Sequence, residues 1–167
     1  SYGNSYALPA GRQDFQTPEQ IAPILTKLVE KMGSRLRRAG YKAKGVHLAV
    51  TYRDGSYWHK AVTYPKVFFD SRDIYKEAFA IFCRSPFKKP VRNVAVSTFN
   101  LLRSTQTQLD LFEDIEKKQK LVKAVDEVNE NWGDFVVTSA RMLTALDAVP
   151  DRIAFGNIKE LEEFTLN

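Results

Sequence analysis

Four stretches of the chain alternate apolar and polar side chains with the period of two that a half-buried strand requires. The first runs from Tyr2 to Leu8 and is closed by Pro9-Ala10-Gly11. In the second, Gly45 to Arg53, Val46, Leu48, Val50 and Tyr52 oppose His47, Ala49, Thr51 and Arg53. Asp54-Gly55 then signals a tight hairpin. The third strand, Tyr57 to Tyr64, sets Trp58, Val62 and Tyr64 against His59, Ala61 and Thr63, and Pro65 is expected to stop it. The fourth, Arg92 to Phe99, sets Val94, Val96 and Thr98 against Asn93, Ala95 and Ser97.

Between these lie helical periods. Thr17-Pro18-Glu19-Gln20 is a helix start: a capping hydroxyl, proline in the first turn, and a Gln that can reach back. Ile21, Leu25, Leu28, Met32 and Leu36 follow at helical spacing, and Gly40 is the expected end. Pro23 removes a backbone donor, so the pattern predicts either a later start or a bend. Arg35, Arg37 and Arg38 crowd the last turn, where cations suit the helix dipole. Asp70 or Ser71 is the expected cap of a second helix, with Ile74, Ala78, Phe79, Phe82 and Cys83 inward and Ser85-Pro86 as the break.

The element order is therefore strand, helix, strand, strand, helix, strand. That predicts an α+β fold: a split βαββαβ four-stranded antiparallel-type sheet with two helices on one face. The open face would carry His47, Ala49, Thr51, His59, Ala61, Thr63, Asn93, Ala95 and Ser97. These are small or hydrogen-bonding groups that let a sugar–phosphate backbone come close. Beyond it, Ile115, Val122, Val125 and Val128 predict a third amphipathic helix closed by Asn131-Trp132-Gly133. Phe135 to Val137 reads as a strand or extended segment, and Ser139 to Leu146 as a short helix. The pattern does not place this partly helical C-terminal extension against the first domain.

Charge sharpens the picture. The formal net charge of +5 divides into +11 over residues 1–104 and −6 over residues 105–167. A basic block followed by an acidic one suggests a polyanion-binding domain with an appended interaction segment. The single cysteine, Cys83, excludes an internal disulfide and a multi-cysteine zinc site, and it fits a reducing cytoplasm. As a thiol it is expected to be a buried small hydrophobe. No apolar run approaches a membrane span. The chain opens at Ser1, directly in a strand-like motif, and reads as a piece of a longer protein.

Gln108-Leu109-Asp110-Leu111-Phe112 is too short and too badly placed for a core strand. A polar anchor followed by closely spaced apolar groups suits another protein's pocket. This pentapeptide resembles the bacterial sliding-clamp binding motif Gln-Leu-x-Leu-Phe. The strand before it, and Ser1-Tyr-Gly-Asn-Ser-Tyr-Ala-Leu-Pro9, resemble the little finger of Y-family translesion DNA polymerases, the group containing DNA polymerase IV. The resemblance covers roughly residues 1–112, and Pro150-Asp-Arg-Ile-Ala-Phe-Gly156 resembles a tail of some members. It implies a little finger over 1–103, a hinge and clamp-binding peptide over 104–112, and an extension of unknown role over 113–167.

The resemblance also implies partners: template–primer DNA and the sliding clamp, for a monomer without membrane association. Ser1 and Gly3 match the family's backbone-contacting strand start. Lys60, placed just before the end of the third strand, matches a basic contact position. Arg92 and Asn93 match a pair that is often Arg-Arg, and Asn4 and Ser97 stand where some relatives place Arg. Such phosphate contacts give affinity without reading sequence.

Chemistry is a different matter. Nucleotidyl transfer needs clustered carboxylates holding two metal ions. Residues 1–104 hold seven acids and no Asp-x-Asp or Asp-Glu pair; Asp126-Glu127 falls on a predicted helix as a solvated face. In this family the carboxylates and their Mg²⁺ belong to the palm. The expectation is no cofactor and no catalysis by this segment, within a parent DNA polymerase. His47 and His59 could meet across the hairpin, but two histidines without a third ligand make a poor metal site. Trp58 and the tyrosines are read as core. A stand-alone RNA-recognition module would need aromatic platforms on the central strands, where Ala, Thr, Ser and Asn stand instead. A clamp adaptor that binds no nucleic acid would not need the basic block.

Overall fold

The computed structural model describes residues 1–8, 15–86, 88–104 and 115–145. Strand β1 spans Tyr2–Ala7, β2 Tyr41–Tyr52, β3 Tyr57–Phe68 and β4 Val91–Arg103. Helix α1 spans Pro18–Arg38, α2 Ser71–Cys83 and α3 Ile115–Trp132, with a 3₁₀ turn at Ala140–Ala145. All strand pairs are antiparallel, in the order β1-β4-β2-β3. The predicted βαββαβ order and α+β class hold.

Local chemistry explains the boundaries. Thr17 caps α1 through a full capping box: its hydroxyl accepts from the Gln20 amide, and the Gln20 side chain accepts from the Thr17 amide. The helix starts at Pro18 and continues through Pro23, so the cap outweighs the one lost donor. Gly40 follows at φ +74°, a conformation that suits glycine, and ends the run. Asp70, not Ser71, caps α2 by accepting from the Arg72 amide. At the hairpin, Asp54 accepts from the Ser56 amide and Gly55 takes φ +84°.

Three strands run longer than the alternation shows, β2 beginning at Tyr41 rather than Gly45. β3 continues through Pro65 to Phe68 instead of stopping. It is an edge strand, where a missing amide donor is tolerated. β4 extends to Arg103, past Asn100 at φ +53°.

The core lies between the sheet and its helices. Ile21, Leu25, Leu28, Met32 and Leu36 of α1 meet Val46, Leu48, Val50, Val94 and Val96 of the sheet, with Ile74, Ala78, Ile81 and Phe82 of α2. Each such side chain contributes roughly 1.5–3 kcal/mol on burial. Cys83 is exposed rather than buried: it is the last residue of α2, one position beyond the buried Phe82. Phe79 is only partly buried against the core, and Tyr75 and Ile81 take buried places instead.

The C-terminal segment is docked on the outer side of α1 and α2. The predicted apolar stripe faces inward: Val122 is buried and Ile115, Val125 and Val128 are half-buried. Ion pairs fasten the helix beside it. Arg37 grips Asp126 with two bonds of 2.6 Å, and Arg38 pairs with Glu130 at 2.9 Å. Lys118 pairs with Asp73 at 2.6 Å. Residues 135–137 form no strand; the 3₁₀ turn that follows buries Met142 fully. No described helix is long and apolar enough to cross a membrane.

Candidate nucleic-acid interface

The pairing register sorts every sheet residue to a face. Gly3, Ser5 and Ala7 of β1 stand beside Ser97, Ala95 and Asn93 of β4. Those in turn pair with His47, Ala49 and Thr51 of β2, which meet Ala61, His59 and Tyr57 of β3. This is the face without helices, and the nine residues expected there are all on it. Its surface is low. A Cβ on Gly3 would lie 3.0 Å from the Ser97 Cβ, so β1 and β4 approach closely. At one end the Phe99 ring covers Gly45, 2.5 Å from where a Cβ would stand.

The seven proposed phosphate contacts do not share one face. Gly3, Asn93 and Ser97 lie on the open face. Asn4, paired with Val96, and Lys60, paired with Leu48, have the parity of the helix-covered face. Lys60 is exposed and lies near the start of β3, not near its end, because the strand runs on to Phe68. Arg92 is exposed at a register irregularity between the Thr51–Asn93 and Tyr52–Val91 pairs, and Ser1 is exposed ahead of β1. The arginines closing α1 are engaged within the chain. Arg35 donates to the Gly3 carbonyl at 3.4 Å, Arg37 to the Phe69 carbonyl and Ser71 hydroxyl at 3.0 Å, and Arg38 meets Glu130. The clamp-type peptide Gln108, Leu109, Asp110, Leu111 and Phe112 lies outside the described residues.

One group was not foreseen. Tyr57 is exposed on the open face rather than in the core, because it heads an edge strand whose alternation turns it outward. Its ring stacks on His59 with centroids 5.4 Å apart, and His59 meets His47 edge-on at 5.5 Å. His47 Nε2 is 3.4 Å from His59 Nδ1, and His47 Nδ1 is 3.3 Å from the Ser97 hydroxyl. Partial burial, and then the neighbouring His59, hold the His47 imidazole below the usual histidine range. The i,i+2 spacing of Tyr57 and His59 signalled a shared face, and the alternation that turns His59 to the open face applies equally to Tyr57. Among the described residues no three His, Cys, Asp or Glu side chains gather to hold a metal ion.

Comparison with known proteins fits this architecture. Residues 1–111 match the impB/mucB/samB family C-terminal domain, and the chain belongs to that family, the C-terminal domain of Y-family DNA polymerases. It is 30% identical over 145 residues to DNA polymerase IV of Moorella thermoacetica, covering 86% of this chain and 36% of that protein. It is 29% identical over 155 residues to DNA polymerase IV of Pelotomaculum thermopropionicum, covering 91% and 37%. The chain thus spans little more than a third of the length of these relatives. A solved Y-family DNA polymerase chimera of Dbh and Dpo4 shares the fold with a TM-score of 0.50 at 17% identity, over 61% of this chain and 28% of that one.

Proposed function

We propose that this chain is the DNA-gripping little finger of a translesion polymerase that bypasses damaged template. Its open sheet face lies against the template–primer backbone, and Gln108 to Phe112 docks the enzyme on a sliding clamp. The observation that carries the reading is the low, helix-free face of Gly3, Ser5, Ala49, Ala61, Asn93, Ala95 and Ser97 on a block of net charge +11 in a member of this family. Small groups allow close approach, and surrounding cations supply affinity indifferent to sequence. Ser1, Gly3, Arg92, Asn93 and Ser97 can reach a backbone from the open face or its margin. Lys60 and Asn4 would act only from beyond the sheet edges. Nucleotide addition itself belongs to palm carboxylates holding Mg²⁺, so this segment alone should extend no primer.

The test is a salt titration with labelled primer–template of two unrelated sequences. Affinity should fall steeply with salt and equally for both; salt-independent binding would overturn the reading. For the clamp peptide, the Leu111→Ala/Phe112→Ala double variant should lose at least roughly 30-fold in clamp affinity with melting unchanged. A drop in melting temperature with clamp affinity retained would show that these side chains serve the chain's own core.

A further inference from the structure

Between Gly45 and the β2–β3 hairpin, the face proposed to meet a polyanion holds no permanent charge. At its register positions stand Gly3, Ser5 and Ala7, then Asn93, Ala95, Ser97 and Phe99, then Gly45, His47, Ala49 and Thr51, then Tyr57, His59, Ala61 and Thr63. The groups there that can become cationic near neutral pH are His47 and His59, and they touch. They lie diagonally across the β2–β3 pair, and Ala49 and Ala61 fill the other diagonal, so nothing bulky stands between the two rings and an incoming ligand. Ser97 at His47 Nδ1 fixes one end of the chain of hydrogen bonds, and Tyr57 backs His59. With Nδ1 of His59 engaged by His47, its Nε2 is left to donate outward.

We infer that His47 and His59 form a phosphate-binding subsite on the open face that engages DNA by taking up one proton. This rests on the reading of that face as the DNA-facing surface. Without a proton, the pair offers a phosphate oxygen only a neutral N–H donor. With one proton shared across the 3.4 Å contact, it becomes a cation whose charge-assisted donor suits a phosphodiester oxygen. A second proton would place two like charges in contact and is disfavoured.

The sign follows by linkage. A phosphate favours the cationic form, so the pair's pKa is higher in the complex than in the free protein. Affinity is gained below the free value and lost as pH rises through the bound value. Burial and His59 depress the free value of His47, so the gain lies on the acid side of the ordinary histidine range. The residues facing the pair are Ser97 from β4 and Tyr57 from β3, neither of them charged at these pH values. Glu30, whose carboxyl burial pushes up, lies on α1 on the other side of the sheet.

The experiment measures the affinity of the chain for labelled primer–template at pH 5.5 and pH 8 at constant ionic strength. The native chain should bind about tenfold tighter at pH 5.5, the gain expected where binding raises the pair's pKa by about one unit. His59→Ala and His47→Gln should lose the gain and bind no tighter at pH 5.5 than at pH 8. His59→Lys, with a fixed charge in the same place, should bind tightly and equally at both. A flat native profile, or variants that keep the native pH dependence, overturns the inference while leaving the DNA-binding reading intact. No binding at any pH overturns both.

Discussion

Glu30 is the residue whose surroundings oppose its charge. It sits on α1 behind a chain of polar contacts that runs from Asp126 through Arg37 to the Ser71 hydroxyl. Gly33 makes the last link possible, since a Cβ there would collide with the Ser71 hydroxyl. Burial pushes the Glu30 carboxyl up, and the hydrogen bond from Ser71 and the Arg37 charge only partly offset it. A raised folded pKa means stability that is complete below the unfolded value and lost as pH rises through the folded one. Glu30→Gln keeps an acceptor for Ser71 and carries no charge to desolvate. Urea unfolding should therefore find the variant more stable than the native chain at pH 7, with the gap closing below about pH 4. An equal difference at both pH values would mean that the carboxylate is not the origin of the effect.

At the scale of elements, α3 is fastened by ion pairs beside a thin apolar stripe in which Val122 alone is fully covered. Its anchor is the two-bond Arg37–Asp126 pair, with side chains 14% and 20% exposed, so water screens it only partly. Removing one partner strands the other in a half-buried place. Asp126→Ala should weaken α3 docking by about 2 kcal/mol. Amide exchange should rise along Ile115–Trp132 and stay unchanged in the sheet; uniform loss of protection would show that α3 supports the whole fold instead. This docking explains what was legible in the sequence. The four strands, the α1 cap and the composition of the open face follow from local rules of period and capping, and all were readable. The run of β3 through Pro65 and the ion pairs that fasten α3 depend on sheet order and on pairs such as Arg37–Asp126, 89 residues apart. No local pattern encodes them. Cys83 shows the same limit at a helix end, where a half-turn decides between core and solvent. The phosphate candidates came from resemblance by position along the chain, and that carries no face: the register separates Lys60 and Asn4 from Gly3, Asn93 and Ser97.

Across the whole molecule the two blocks of charge oppose each other. The basic residues of 1–104 that would attract DNA are tethered to a segment of net charge −6. Part of that acidity, Asp126 and Glu130, is paired with Arg37 and Arg38. Residues 146–167 add five acids and two bases, and their removal lifts the formal net charge from +5 to +8. At low salt the screening length is about 30 Å at 0.01 M, comparable with the molecule, so these acids oppose a DNA phosphate wherever on the chain it sits. At physiological salt it falls to about 8 Å and only neighbours matter. On the proposed DNA-binding reading, a chain ending at Ala145 should bind primer–template several-fold tighter than the full chain at low salt. The two should converge as salt rises, and the truncated form should show the steeper dependence. Fluorescence anisotropy across a salt series checks this. Equal affinities at low salt would mean that the acidic end is neutralised within the chain and takes no part in the field that DNA meets.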